Sequence, residues 1–564
     1  MMVKTDIDFE QLHDDIEAGR SKAPAWWSKQ FWAYRRWRQS TVAADRLQRR
    51  QGGASPVRFE TTFGLMKPRG FTGRTSGYAA VQSGPREWQT TTNLGCGFNP
   101  NVVGASAPAI GTPLGRHVTT GAEVACDLFA WFVEGVIANP SLFLLSLPGL
   151  GKSTLIRKML MGSVAKKHIP IIAGDIKAEY VGFVEQVGGQ VIRVGHGVGH
   201  INPLDVGALG RVIPQLEAQR EALVASGKGD LIERAREQVH GRQVTMVTTL
   251  VSLGRGAPVH DFEAMLISMA LREIYDQDDI DWEHPPVLQD LIDHLESGST
   301  QLLKKGRAED KAQWNRRIDE LILSLNALLD GATGKIFSGQ TTTPIKIDAP
   351  AVCIDVSAIG RGDSAMKAAV MMACWSAAFG AVEAAHLLSD AGLAPQQFFA
   401  VTLDEMWQVL ASAPGMVSQV DALTRLNRTD ALALMMITHT FKDLEALPTE
   451  EDRKTAMGFI ERAGLVICGG LPASELDILS SRLSFSAAEA QMVTSWSKGA
   501  PPRRARTRGS KAIPPGRGRF MIKPSKDGAP GIPVQTILFP SEQQLRLHDT
   551  NVRFAEMFAE AGEA

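Results

Sequence analysis

The chain has 564 residues, 44% hydrophobic and 21% charged, an ordinary globular composition and length enough for roughly two to four domains. A formal net charge of −1 excludes a global field that would draw nucleic acid or membrane, so any such argument must rest on local charge runs. The five cysteines, Cys96, Cys126, Cys353, Cys374 and Cys468, are odd in number and form no CxxC pair, which argues against a disulfide framework or structural zinc site and fits a reducing, cytosolic compartment.

The N-terminal stretch is polar and acidic, unlike a secretory signal. Residues 1–56 then carry Trp26, Trp27, Phe31, Trp32, Tyr34 and Trp37 among Lys29, Arg35, Arg36 and Arg38. Such a basic aromatic helix either lies at a membrane interface or on a partner, or packs its tryptophans on the body of the protein. Gln51-Gly-Gly-Ala-Ser-Pro56 reads as a linker. Residues 57–125 are rich in Gly, Thr, Pro and Asn, which predicts short strands and turns in a small β region.

From about 126 apolar strands alternate with helices. The strand candidates are Leu142–Leu145, Pro170–Ala173, Gln190–Val194, Val352–Val356, Phe398–Leu403, Ala433–Thr438 and Leu465–Gly469. Near-continuous apolar runs suit a parallel sheet covered on both faces, hence an α/β, doubly wound, mainly parallel domain over 126–207 and 336–545. Residues 208–335 are strongly helical in character and predict a helical insertion between two strands of the sheet. The longest uncharged apolar run, Ala368–Val382, is shorter than the roughly 20 residues of a membrane span and predicts a buried helix. Later come the basic run Arg503-Arg-Ala-Arg-Thr-Arg-Gly-Ser-Lys511, the strand candidates Arg519–Lys523 and Ile532–Leu538, which fit a hairpin, and a tail over 546–564. The basic run is either a contact surface for nucleic-acid phosphates or a solvated loop.

The most informative segment is Leu142-Phe-Leu-Leu-Ser-Leu-Pro-Gly-Leu-Gly-Lys-Ser-Thr154, an apolar strand entering a glycine-containing loop that opens a helix. In a phosphate-binding loop, backbone N–H groups and the helix N-terminus surround phosphate oxygens. Pro148, Gly149, Leu150, Gly151, Lys152, Ser153 and Thr154 form that candidate ATP site. Lys152 neutralises the β- and γ-phosphates, and Ser153 offers its hydroxyl to Mg2+. The first glycine of G-x-x-x-x-G-K-[ST] is replaced by Ser146, which predicts a slightly altered loop entry.

Phe398-Phe-Ala-Val-Thr-Leu-Asp404-Glu405-Met-Trp407 has the pattern of a strand ending in a Walker B acidic pair. Asp404 would hold the Mg2+ shell and Glu405 would polarise the attacking water. The strand ending Thr438-His439-Thr440 offers Thr438 and His439 as γ-phosphate sensors. Asp175 and Lys177 follow the strand after the phosphate-loop helix and either line the ligand crevice or form a salt-bridged surface turn. Arg425, Arg428, Arg462 and Arg482 are candidates for an arginine supplied to a neighbouring subunit.

Together these motifs resemble the conjugation ATPases of type IV secretion systems, within the HerA/FtsK-type P-loop group, and more specifically the actinobacterial ATP-binding proteins of conjugative elements. The matching text is Gly111-Thr-Pro-Leu-Gly-Arg-His117, Asn139-Pro-Ser-Leu-Phe143, the phosphate loop, Gly174-Asp-Ile-Lys-Ala-Glu-Tyr180, Gly188-Gly-Gln-Val-Ile-Arg193, Ile201-Asn-Pro-Leu-Asp205, Asp404-Glu-Met-Trp407, Pro514-Pro-Gly-Arg-Gly-Arg-Phe520 and Asp549-Thr-Asn551. The resemblance implies a RecA-like ATPase that forms a ring, a homo-hexamer, in the cytoplasm at the inner face of the membrane. It implies ATP and Mg2+ as cofactors, components of a secretion or conjugation system as partners, and DNA or protein as cargo. A DNA translocase of the same fold and a nucleotide-gated scaffold without turnover are the rival readings. Two departures stand out: a reduced N-terminal domain, and His439 where the family often has glutamine.

Overall fold

The computed structural model describes residues 109–276, 280–331, 333–359, 364–412, 415–424, 431–499, 514–524, 529–545 and 547–548, and a two-residue antiparallel ladder, Met66–Lys67 with Gly70–Phe71. That ladder belongs to one compact unit, Met1–Gly97, and all that follows belongs to a second, Phe98–Ala564. The aromatic N-terminal segment, the basic run 503–511, Arg425, Arg428 and the tail beyond 548 lie outside the described residues.

The second unit is built on an 11-stranded sheet. Its strands are β1 (Thr112–His117), β2 (Glu123–Cys126), β3 (Ser141–Leu145), β4 (Ile169–Asp175), β5 (Gln190–Arg193), β6 (Val352–Asp355), β7 (Phe399–Leu403), β8 (Leu432–Thr438), β9 (Leu465–Cys468), β10 (Arg519–Lys523) and β11 (Ile532–Thr536). The spatial order is β2-β1-β11-β10-β9-β3-β8-β7-β4-β6-β5. From β9 to β5 all neighbours are parallel. From β9 to β2 all are antiparallel.

Each apolar run of the sequence forms a parallel strand because both faces of the sheet are covered. Alternate residues divide between two cores, as the two-residue period of a strand requires. Phe143, Leu145, Ile171, Val401, Leu434 and Met436 face one side. Leu142, Leu144, Ile172, Ala400, Met435 and Ile437 face the other, where the phosphate-loop helix α1 (Lys152–Ala165) packs through Leu155, Ile156, Met159 and Leu160.

The helical insertion joins the first face. It runs between β5 and β6 and includes helices Gly207–Ala218, Asp230–Arg255, Asp261–Ile274 and Lys311–Asp330. Beneath the insertion lies α2 (Ser364–Ala391), packed on Gly207–Ala218 and Asp230–Arg255. Its span 365–391 is long and apolar enough to cross a membrane, yet 83% of its most apolar window is buried, so it is a core helix.

One expected boundary moves. The core was placed from 126 onward, but β1 and β2 lie before it and pair into the same sheet through β11. Their text, TPLGRH and EVAC, lacks the apolar run that marked the parallel strands, because antiparallel pairing at the end of a sheet does not require burial on both faces.

Candidate active site

The strand order brings β3, β8, β7 and β4 side by side. Their carboxyl ends carry the phosphate loop, His439, Asp404–Glu405 and Asp175–Lys177. A crevice at the carboxyl ends of parallel strands is where ligands bind in open α/β sheets.

After β3 the chain turns through Gly149 (φ 78°) and Gly151 (φ 99°), both in the left-handed region that side-chain-bearing residues rarely adopt. α1 starts at Lys152, with Gly151 as its N-cap. Ser153 Oγ makes no hydrogen bond within the described residues and is half-buried, as a hydroxyl free to bind a ligand would be. Ser146 does not take the left-handed backbone that a first-position glycine permits. It is fully buried, and its hydroxyl donates to Leu147 O at 3.3 Å. The room for it comes from the neighbouring strand: a Cβ on Gly469, just past β9, would lie 2.2 Å from Ser146 Oγ.

Asp404 and Glu405 follow β7 and are 8% and 3% exposed. Glu405 has φ 53°, a sparsely populated conformation for a non-glycine residue and one that collects at functional sites. Asp404 Oδ1 accepts the Glu405 N–H at 2.9 Å, and Asp404 Oδ2 accepts the Tyr180 hydroxyl at 3.1 Å. Burial pushes the Asp404 carboxyl above its usual range, with the Lys152 charge working against it.

His439 joins the loop to the acidic pair. Lys152 Nζ lies 3.1 Å from His439 Nδ1, and His439 Nε2 lies 3.0 Å from Glu405 Oε1. An ammonium has no acceptor, so Nδ1 must accept and the ring proton sits on Nε2, from which it donates to Glu405. The imidazole is therefore a neutral bridge between Lys152 and Glu405. Lys177 Nζ also donates to Glu405 Oε1, and Trp407 Nε1 donates to Oε2 at 2.8 Å. Burial acts to raise the Glu405 carboxyl, but the His439 hydrogen bond, the Lys152 charge and the Lys177 hydrogen bond outweigh it and hold it far below the usual carboxylate range.

The loop after β4 is built around Asp175, whose carboxylate accepts the N–H groups of Lys177 at 3.2 Å, Glu179 at 3.1 Å and Tyr180 at 2.7 Å. Burial nevertheless pushes its carboxyl up to about 6. The segment lies at the carboxyl end of β4, where Asp175 is buried and the half-exposed Lys177 is paired with Glu405.

The remaining candidates separate. Thr438 is fully buried beside His439, and its hydroxyl donates to Asp443 Oδ2 at 3.5 Å. Arg462 pairs with the buried Asp421, and Arg482 pairs with Glu461 at 2.8 Å on the surface. Sequence reasoning gave no role to Tyr180 or Trp407. Their signal was present in the matched segments ending at Tyr180 and Trp407, but neither residue type announces a carboxylate partner.

A second layer backs the loop. Arg157 of α1 donates to Ser153 O at 3.2 Å, Glu179 O at 2.8 Å and Leu547 O at 2.7 Å. Lys158 pairs with Glu542 of α3 (Pro540–Gln544) at 3.0 Å, both side chains almost fully buried.

No protein-family model matches the sequence, and no curated protein matches it. Among solved structures, VirB4 of Thermoanaerobacter pseudethanolicus superposes with a TM-score of 0.55 at 19% identity, over 78% of this chain and 100% of that one. The plasmid coupling protein TrwB in complex with ADP and Mg2+ gives 0.43 at 12% identity, over 78% and 99%. TrwB in complex with the non-hydrolysable ATP analogue ADPNP gives 0.41 at 12%, over 75% and 90%. The VirB4 match, along its whole length, together with the parallel sheet and the strand–loop–helix at Lys152, makes this a RecA-like P-loop ATPase fold.

Proposed function

We propose that the chain hydrolyses ATP and that turnover powers the transfer of DNA or protein across the cell envelope in a conjugation or type IV secretion-like system. The observation that carries the ATPase reading is the bridge Lys152–His439–Glu405, which ties the phosphate loop to a buried acidic pair. The cargo class and setting rest on the motif resemblance to conjugation ATPases and on the whole-length likeness to VirB4.

In this reading Lys152 and the loop N–H groups bind the β- and γ-phosphates. Glu405 orients and polarises the attacking water. The residues fit Mg2+: Ser153 has a hydroxyl without a partner among the described residues, and Asp404 has a buried carboxylate at the carboxyl end of β7, two strands over from β3 in the sheet. Those two would hold the ion, which supplies charge neutralisation on the phosphate oxygens when bound. His439 senses the nucleotide, since a phosphate that claims Lys152 removes the donor at Nδ1. Assembly as a homo-hexamer and placement at the inner membrane face with secretion components are part of the same proposal. An arginine in trans from Arg425 or Arg428 belongs to it as well.

The test is ATP turnover by the full chain, its Lys152→Ala and Glu405→Gln variants, with and without DNA. Phosphate release lost in both variants, with nucleotide still bound by Glu405→Gln, is the expected result. Bound nucleotide without turnover in the wild type, alone or with DNA, overturns it in favour of a scaffold.

A further inference from the structure

A group that polarises water needs a free lone pair and a charge that no cation neutralises. Glu405 has little of either. A carboxylate offers about four acceptor positions. Here Oε1 takes two donors, Lys177 Nζ and His439 Nε2, and Oε2 takes Trp407 Nε1. The side chain is 3% exposed, so solvent does not replace these donors.

The three donors are not equivalent. Trp407 and His439 donate neutral N–H groups, which orient the carboxylate and leave its charge in place. Lys177 brings a full positive charge, and a charge-assisted bond is roughly twice as strong as a neutral one. Burial would lower the Lys177 ammonium, but the Glu405 partnership outweighs it and raises it.

Lys177 is also the donor best placed to leave. Its backbone is pinned by Asp175, next to Ala178, which itself has a left-handed φ of 52°. Its side chain is 47% exposed, so on release its own ammonium passes into solvent while Glu405 keeps the Trp407 and His439 donors. Trp407 is two residues from Glu405, and His439 is fixed at its other nitrogen by Lys152.

We propose that Lys177 is a brake on Glu405: its ammonium occupies and neutralises the water-polarising carboxylate, and hydrolysis requires its release. A triphosphate held at Lys152 offers the competing anion, since Lys152 and Glu405 are joined through the single ring of His439. Lys177 is thus a positioning residue that acts through Glu405. The inference rests on the reading of Glu405 given above.

The experiment measures kcat and KM for ATP with the full-length wild type, Lys177→Met, Lys177→Arg and the double variant Lys177→Met/Glu405→Gln, with bound fluorescent ADP and thermal melting as controls for folding. Lys177→Met is expected to raise basal kcat by about 10-fold, near the weight of one charge-assisted hydrogen bond at a half-exposed position. KM and ADP binding stay within about twofold, the range of a change that leaves the nucleotide contacts in place. Lys177→Arg, which keeps the charge, turns over more slowly than Lys177→Met. The double variant is inactive, because the released turnover passes through Glu405. A kcat for Lys177→Met equal to or below the wild type, with ADP still bound, overturns the brake and leaves the ATPase reading standing. If Lys177→Met does not fold, the comparison of Lys177→Arg with Lys177→Gln decides by the same criterion. Absence of turnover in the wild type and in Lys177→Met alike would instead sink the underlying reading.

Discussion

Lys152 Nζ donates to His439 Nδ1 at 3.1 Å, joining the phosphate loop to the end of β8 across 287 residues of sequence. The bond fixes the ring tautomer, and through Nε2 it fixes what reaches Glu405. A glutamine could do the same double duty, accepting with its carbonyl and donating with its amide.

This gives the first prediction. His439→Ala removes both bonds and is expected to lower kcat by about 10- to 100-fold, the cost of losing one or two hydrogen bonds at a reacting centre. His439→Gln is expected to retain several times the activity of His439→Ala. Steady-state phosphate release checks it, and equal activity in the two variants would show that the bridge is not used.

A second prediction concerns Ser146 and Gly469. Gly469→Ala forces a Cβ to within 2.2 Å of Ser146 Oγ and is expected to abolish nucleotide binding by displacing the loop entry. Ser146→Gly/Gly469→Ala exchanges the residue sizes across the two strands and is expected to recover binding. Equilibrium binding of a fluorescent nucleotide reads both, and no rescue in the double variant would contradict the size exchange.

The buried pair Lys158–Glu542 gives a third. Removing one partner leaves an uncompensated buried charge, at a cost of about 3–5 kcal/mol. Lys158→Met should therefore release the segment that ends at Leu547, seen as faster backbone hydrogen exchange over 539–548. Lys158→Met/Glu542→Leu should restore most of the protection, since an apolar pair of similar volume fills the site.

A fourth follows from three carboxylates held below their usual range. For Glu263, Glu489 and Glu542, burial acts upward, but hydrogen bonds and the charges of Arg255, Lys523 and Lys158 outweigh it. A carboxylate depressed in the folded chain contributes stability that is present above its unfolded value of 4.5 and lost as pH falls through the folded value. Thermal stability is thus expected to fall steadily below pH 4.5. Glu542→Gln should flatten part of that slope in melting curves taken across the range.

The parallel half of the sheet was legible because a strand buried on both faces must be mostly apolar, and β3, β4, β7 and β8 depart from that only at Ser141, Asp175, Thr402 and Thr438. The strand–loop–helix at Lys152 and the acidic pair that closes β7 were legible because each motif sets residue types at close spacing. The partners of Glu405 were not. Lys177 and His439 reach it from strands far apart in sequence, and a lysine after a strand looks the same whether it faces solvent or a carboxylate. β1 and β2 escaped for a related reason, since TPLGRH owes its strand to pairing with β11 and not to its own composition. The irregular Ser146 was visible, but its explanation lay in Gly469, more than 300 residues on.

The most direct test is phosphate release by the full-length wild type beside Lys152→Ala and Glu405→Gln, with nucleotide binding measured in parallel. The expected result is turnover in the wild type only, with Glu405→Gln retaining bound ATP. Turnover in Glu405→Gln close to the wild-type rate would contradict the assignment of Glu405 as the group that activates water.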